Sequence, residues 1–336
     1  MRGLAGREEA VLRPFFETLE RDFNGSVKEK EYNFYVEIGG KKLMLCFPSR
    51  EQAGILERYL AGRRIPETRS PDARFCFWPD DCSRYMGLEV LSGRWRYREK
   101  SSFAIFAPGS RLIGADVPNR TFYYCLHDPE KQAQIPYWAM NFLVSQWART
   151  AELLPLHGGV VGVESRGVLL AAQSGSGKTT LATSCLLSGM DYVADDYVLV
   201  NSEGPLRAMP ISSALNMNPD MKERLGLTLP VIWENAGWNG KQMLDASSFP
   251  LSQEMAVCAV VFLSGRDKEQ AEISSASGYP AVRLIQSALR IEGTYDPLMA
   301  KAVVQRLSAL PAYEMCLCGD LKQNADVLRA WIERME

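Results

Sequence analysis

The residues of this 336-residue chain best suited to chemistry cluster between positions 157 and 200. The densest run is Gln173-Ser174-Gly175-Ser176-Gly177-Lys178-Thr179-Thr180. Gly175 and Gly177 permit positive φ and keep side chains out of the way, so that successive N–H groups can point into one anion-binding nest. A helix starting here adds its free N–H groups and its dipole. Lys178 supplies a full charge for β- and γ-phosphates, and Thr179 a hydroxyl for Mg²⁺. The spacing fits the phosphate-loop pattern G-x-x-x-x-G-K-[ST], with Ala172 where the first Gly is expected. That position ends a strand, and Ala is nearly as small as Gly. The expectation is a bound nucleoside triphosphate, written here as ATP, with Mg²⁺; the residues do not distinguish adenine from guanine.

Two further features lie close by in sequence. Asp195-Asp196 sits between two apolar runs, and burying adjacent acids is costly unless they are compensated. Mg²⁺ and the Lys178 ammonium would do so. Adjacent strand residues face opposite ways, so one carboxylate can face an acceptor and the other a metal. His157 lies in Leu156-His157-Gly158-Gly159, where the glycines suggest close backbone approach.

These groups need a frame to hold them. The runs 160–163 and 167–172 read as two strands around the turn 164–166, followed by a helix from Thr179 to Leu187 that stops at Gly189. Strands at 192–194, 197–200 and 256–263 complete the pattern of a nucleotide-binding α/β core. Ahead of it, 135–153 reads as one long helix. The first ~130 residues read as α+β: helices over 8–23 and 50–61, a hairpin 32–38/42–47 turning at Gly39-Gly40, and short β runs at 74–78, 94–97, 103–106, 111–113 and 121–125. Such a series suggests an antiparallel sheet, with Phe75, Phe77, Trp78, Trp95 and Tyr97 as core. The polar stretch 128–134 sets the expected boundary, giving an N-terminal α+β domain over 1–130, suited to substrate recognition, and a catalytic domain over 131–336.

From Leu156 to Val200 the sequence resembles the catalytic domain of HPr serine kinase and its relatives. The shared features are LHGGVV, a hairpin into GVLLAAQSGSGKTT, a helix, and YVADDYVLV. The resemblance implies an α/β fold of the HPr-kinase/PEP-carboxykinase-like nucleotide-binding type. It implies that Lys178 and the loop bind the triphosphate and Thr179 the Mg²⁺. Asp195 would be general base towards the acceptor hydroxyl, Asp196 would help with metal or positioning, and His157 would sit near the transferred phosphate. HPr kinases form hexamers, which sets an expectation of self-association. The family's downstream signature, Glu-Ile-Arg-Gly-Leu-Gly, is not found; the corresponding stretch reads PISSALNMNPDMKERLG. That puts HPr itself in doubt as substrate and points to divergent relatives acting on a peptide, protein or small-molecule hydroxyl. Lys241, in a polar Gly-rich segment, reads first as a solvated loop residue, with reach to substrate or phosphate as the alternative.

Composition narrows the field further. A net charge of −2 gives no support for nucleic acid or an anionic membrane as partner. The N-terminus lacks a signal-peptide core and no apolar run reaches the ~18 residues of a span, so a cytoplasmic location is expected. Eight cysteines without a C-x-x-C pair, beside only two histidines, read as reduced, small apolar residues. Two alternatives to a kinase stay open: another triphosphate-using enzyme, and a non-catalytic nucleotide-binding module.

Overall fold

The computed structural model describes residues 2–28, 30–85, 103–107, 111–173, 175–234, 240–289 and 297–335. The β run expected at 94–97, with Trp95 and Tyr97, and the loop residue Ser174 lie outside them. The architecture is mixed α/β, with sheets that include parallel strands. Backbone contacts divide the chain into two compact units, Met1–Arg58 with Arg63–Thr150, and Tyr59–Gly62 with Ala151–Glu336. The division at 150/151 differs from the 130/131 boundary read from composition. The difference is the helix following the polar stretch, whose aromatics pack on strands of the first unit.

The first unit comprises α1 (Arg2–Ser26), β1 (Tyr32–Ile38), β2 (Lys41–Phe47), α2 (Arg50–Tyr59), β3 (Arg64–Ile65), β4 (Ala73–Asp80), β5 (Phe103–Ala107), β6 (Arg111–Asp116), β7 (Thr121–His127) and α3 (Tyr137–Ala148). Its sheet runs β3-β1-β2-β4-β7-β6-β5. The expected antiparallel sheet is corrected here: β2–β4 and β4–β7 are parallel pairs. The reason is that α2 intervenes between β2 and β4, and a helical crossover returns the chain parallel. Strand alternation then serves two faces. Cys76 and Trp78 join the cluster under α1, where Phe23 meets Trp78 at 5.8 Å between ring centroids. Phe75 instead meets Trp147 of α3 at 6.2 Å. Phe75, Phe77 and Trp78 are wholly buried, as core residues. α3 is shorter than the run 135–153 suggested. It starts after Pro136 and ends at Ala148; Glu152 then takes a φ of 59° and turns the chain into a strand.

The second unit continues with β8 (Leu153–His157), β9 (Gly159–Val163), β10 (Arg166–Ala171), α4 (Lys178–Leu187), β11 (Asp191–Ala194), β12 (Tyr197–Asn201), β13 (Arg207–Pro210), β14 (Ala214–Met217), α5 (Pro219–Arg224), β15 (Val231–Glu234), β16 (Gln242–Asp245), β17 (Met255–Lys268), β18 (Glu272–Ser275), α6 (Pro280–Ser287), α7 (Pro297–Ser308), β19 (Ala312–Cys318) and α8 (Leu321–Glu333). The main sheet runs β11-β9-β10-β17-β13-β12-β8, with β19 on β17 and β18 on β19; β14-β16-β15 form a small separate sheet. β10 is buried on both faces, Val168 and Leu170 in one cluster and Leu169 and Ala171 in the other. Such a strand, parallel to β17, is a rigid support for whatever leaves its C-terminal end. α4 packs its Leu181, Ala182, Cys185 and Leu186 in one cluster with Ala325, Leu328 and Ile332 of α8. All eight cysteines are free thiols. No helix among the described residues is long and apolar enough to cross a membrane.

Candidate active site

The loop leaves β10 through Ala172, which is buried with 3% exposure, so the small residue in place of the first Gly fits a tight strand end. Gly175 and Gly177 take φ of 85° and 99°. Both are left-handed conformations that an L side chain would strain, and a Cβ at Gly175 would meet only open space. Gly177 is the N-cap of α4 and offers no side chain to cap it, which leaves the first-turn N–H groups for an outside acceptor. Ser176 turns back on the loop, its Oγ donating to Gln173 O at 2.7 Å and its N–H to the same oxygen at 3.3 Å. Ser176 therefore braces the loop, whereas Gln173, Gly175, Gly177, Lys178, Thr179 and Thr180 line the adjoining cleft.

The acids arrive by a different route. β8 pairs with β12 at one end of the sheet path and β9 with β11 at the other. The chain crosses between these ends twice, at His157-Gly158 and at Asp195-Asp196, and the crossings touch: Gly158 N–H donates to Asp196 O at 2.9 Å. Gly159 makes this approach feasible, since a Cβ there would stand 3.1 Å from Ala194 O and 3.3 Å from Asp195 Cα. His157 Nδ1 lies 3.2 Å from Asp196 Oδ1, and Asn216 Nδ2 approaches Asp196 Oδ2 at 3.5 Å. His157 and Asp196 line the same cleft as the glycine-rich loop.

Asp195 is not on the lining of that cleft, although it reaches the Thr179 hydroxyl at its edge. It lines a second hollow with Tyr192, Tyr197, Ser212 and Asn216, to which Asp196 also contributes. It is 2% exposed, and its Oδ2 has no hydrogen-bond partner. Burial pushes its carboxyl from 3.8 up to about 7, helped by the Asp196 charge; the hydroxyls of Tyr192 and Thr179 and the Lys178 ammonium oppose this and are outweighed. Asp196 goes the opposite way. Burial raises it, but the His157 contact and the Lys178 and Lys241 charges bring it below the ordinary carboxylate value. Two neighbouring acids are thus held in different states, one a proton acceptor near neutrality and one a lasting anion. Lys178 is 6% exposed, and burial lowers its ammonium to about 8 against the support of Asp196 and Asp195. An arriving polyphosphate would restore the solvation this buried cation lacks.

Five polar residues join the cleft beyond those the sequence reading assigned to it. Lys241 takes the alternative placement: this half-buried loop residue lines the cleft, close enough to act on Asp196 and Lys178. Asn216, Asn218, Asp220 and Arg224 also line it. All four belong to the stretch that lacks the expected signature, and a small sheet with a one-turn helix carries them in. Their types, amide, acid and guanidinium, were the available signal; only tertiary folding shows that they meet the loop. Among the described residues, no group of three or more His, Cys, Asp and Glu gathers to hold a metal. The donors present, Asp196, the Thr179 hydroxyl and Asp220, suit Mg²⁺, which takes one or two carboxylates and completes its shell with phosphates and water.

Neither protein-family models nor curated proteins give a match to this chain.

Proposed function

We propose that the chain is a kinase of the HPr-kinase-like type, with the corresponding P-loop fold in its second unit, transferring the γ-phosphate of ATP to a hydroxyl of a peptide, protein or small molecule. The observation that carries this reading is the meeting of groups from three separate segments: the nest closed by Lys178 with the adjoining Thr179 hydroxyl, the Asp195–Asp196 pair, and His157. A strand–helix turn that bound nothing would not bury a lysine and a carboxylate beside a second, half-buried acid at the cost this entails.

The chemistry follows from the arrangement. The loop amides and Lys178 hold the β- and γ-phosphates. Thr179 and Asp196 would hold Mg²⁺, which neutralises phosphate charge when bound. The acceptor enters through the hollow of Tyr192 and Tyr197, with its hydroxyl towards Asp195. Its oxygen forms the new O–P bond as the bond from the γ-phosphorus to the β,γ-bridging oxygen breaks. The bond's electron pair leaves with ADP, and the hydroxyl proton passes to Asp195. A carboxylate of ordinary pKa would be a weak acceptor; raising it to about 7 makes Asp195 a better base at neutral pH. His157 fixes Asp196 through the 3.2 Å contact. Positioning and charge neutralisation supply most of such a rate.

The test is Asp195→Asn, assayed for Mg²⁺–ATP affinity and for γ-phosphate transfer. The variant is expected to bind ATP as wild type does and to lose transfer. Undiminished transfer would remove Asp195 as the base.

A further inference from the structure

Resting on the triphosphate reading above, we infer a second activity: with no acceptor present, the chain hydrolyses the triphosphate, using one water molecule seated against Asp195. Two buried polar atoms there have no hydrogen-bond partner, Asp195 Oδ2 and Tyr192 Oη, and both residues are 2% exposed. The two lie on one short stretch of chain, Tyr192 in β11 and Asp195 just past its end. The Tyr192 hydroxyl stands near enough to act on the Asp195 carboxyl. Leaving a buried hydroxyl and a buried carboxylate oxygen unpaired is costly, so two such atoms in one place point to a small polar ligand shared by both.

The space fits that ligand. The hollow they line has a volume of ≈ 20 Å³. A water needs at least about 10–15 Å³ of such room and two to four polar partners. The hollow therefore takes a single water, which accepts from Tyr192 Oη and donates to Asp195 Oδ2. Ser212 and Asn216 supply further polar lining. Asp196 and Asn216 line both this hollow and the phosphate cleft, so the water borders the place of the γ-phosphate.

The reaction balances as transfer does, with water as nucleophile. Its oxygen forms the new O–P bond while the bond from the γ-phosphorus to the β,γ-bridging oxygen breaks. The electron pair leaves with ADP, a proton of the water passes to Asp195, and inorganic phosphate is released. An acceptor hydroxyl needs the same position against Asp195 and displaces the water, so hydrolysis and transfer exclude one another.

The experiment measures inorganic phosphate released from Mg²⁺–ATP by wild type, Asp195→Asn and Tyr192→Phe, in heavy-oxygen water with no acceptor added. Wild type is expected to release phosphate that carries a single heavy oxygen. Asp195→Asn should lower the rate by about 10²- to 10⁴-fold. Tyr192→Phe should lower it by about 3- to 10-fold, the worth of one hydrogen bond to the water. Both losses should fall on kcat, with KM for Mg²⁺–ATP unchanged, which a merely structural role for Tyr192 would not give. Wild type that binds Mg²⁺–ATP and releases no phosphate overturns the water site and leaves the kinase reading to its own test; wild type that binds no Mg²⁺–ATP overturns both. Release undiminished in either variant also overturns the site. Should Tyr192→Phe not fold, the heavy-oxygen count in wild type and the rate of Asp195→Asn decide.

Discussion

Asp195 and Asp196 are chemically identical and adjacent, yet their surroundings separate them. Asp195 is enclosed with an unpartnered oxygen and is pushed up to about 7; Asp196 is held down by His157, Lys178 and Lys241. In the proposed mechanism the unprotonated Asp195 and the protonated Lys178 act together, and these change state near about 7 and about 8. kcat/KM is therefore expected to rise through the first value, fall beyond the second and peak between them, as a pH–rate profile would show. Asp195→Asn should lower transfer by about 10²- to 10⁴-fold. A stability effect accompanies this. Because the folded-state pKa is raised above 3.8, the stabilisation from the protonated acid is complete below 3.8 and lost as pH rises through about 7. Asp195→Asn cannot ionise, so it should be more stable than wild type at pH 8 and lose that advantage by pH 4, read as urea midpoints. Lys178→Ala should weaken Mg²⁺–ATP binding by about 10- to 100-fold, the worth of a charge-assisted contact, measurable by calorimetry.

Two paired crossings of the sheet carry the elements' part of the mechanism. β8 to β9 delivers His157, β11 to β12 delivers the acids, and Gly159 is the residue that lets them touch. Gly159→Ala should push the Asp195 backbone away, costing about 1–3 kcal/mol by overpacking and reducing transfer more than ATP binding; urea unfolding and the two assays would show it. Much of this was legible in the sequence. The apolar runs of β9, β10 and β17 and the stop at Gly189 announced themselves by type and spacing, and the glycines around His157 signalled the close approach. Other features were not legible. Parallel pairing in the first unit depends on where the chain after α2 returns. Residues 135–153 changed from helix to strand at a left-handed Glu152, a position no periodicity marks. Asn216, Asp220, Arg224 and Lys241 enter the cleft from β14, α5 and the approach to β16, where proximity comes from tertiary packing alone.

At the scale of the molecule, the site lies wholly within the unit formed by Tyr59–Gly62 and Ala151–Glu336, so its ligand should stabilise that unit. At 100 times its Kd, Mg²⁺–ATP adds about 2.7 kcal/mol, a rise of about 5–10 °C in Tm for a unit of this size. Differential scanning fluorimetry should show the full shift in wild type and a smaller one in Lys178→Ala, where the same ATP concentration adds only about 0.4–1.4 kcal/mol. The acceptor is set by whatever fills the hollow beside Asp195, which residue types alone do not name. The most direct measurement is therefore transfer of labelled γ-phosphate from ATP into a mixed pool of peptides, proteins and small alcohols, with the product identified by mass. Wild type should yield one labelled hydroxyl product, and Asp195→Asn, still binding ATP, should yield none. Tight ATP binding by wild type with no labelled product in any pool would contradict the kinase mechanism and leave a nucleotide-binding module in its place.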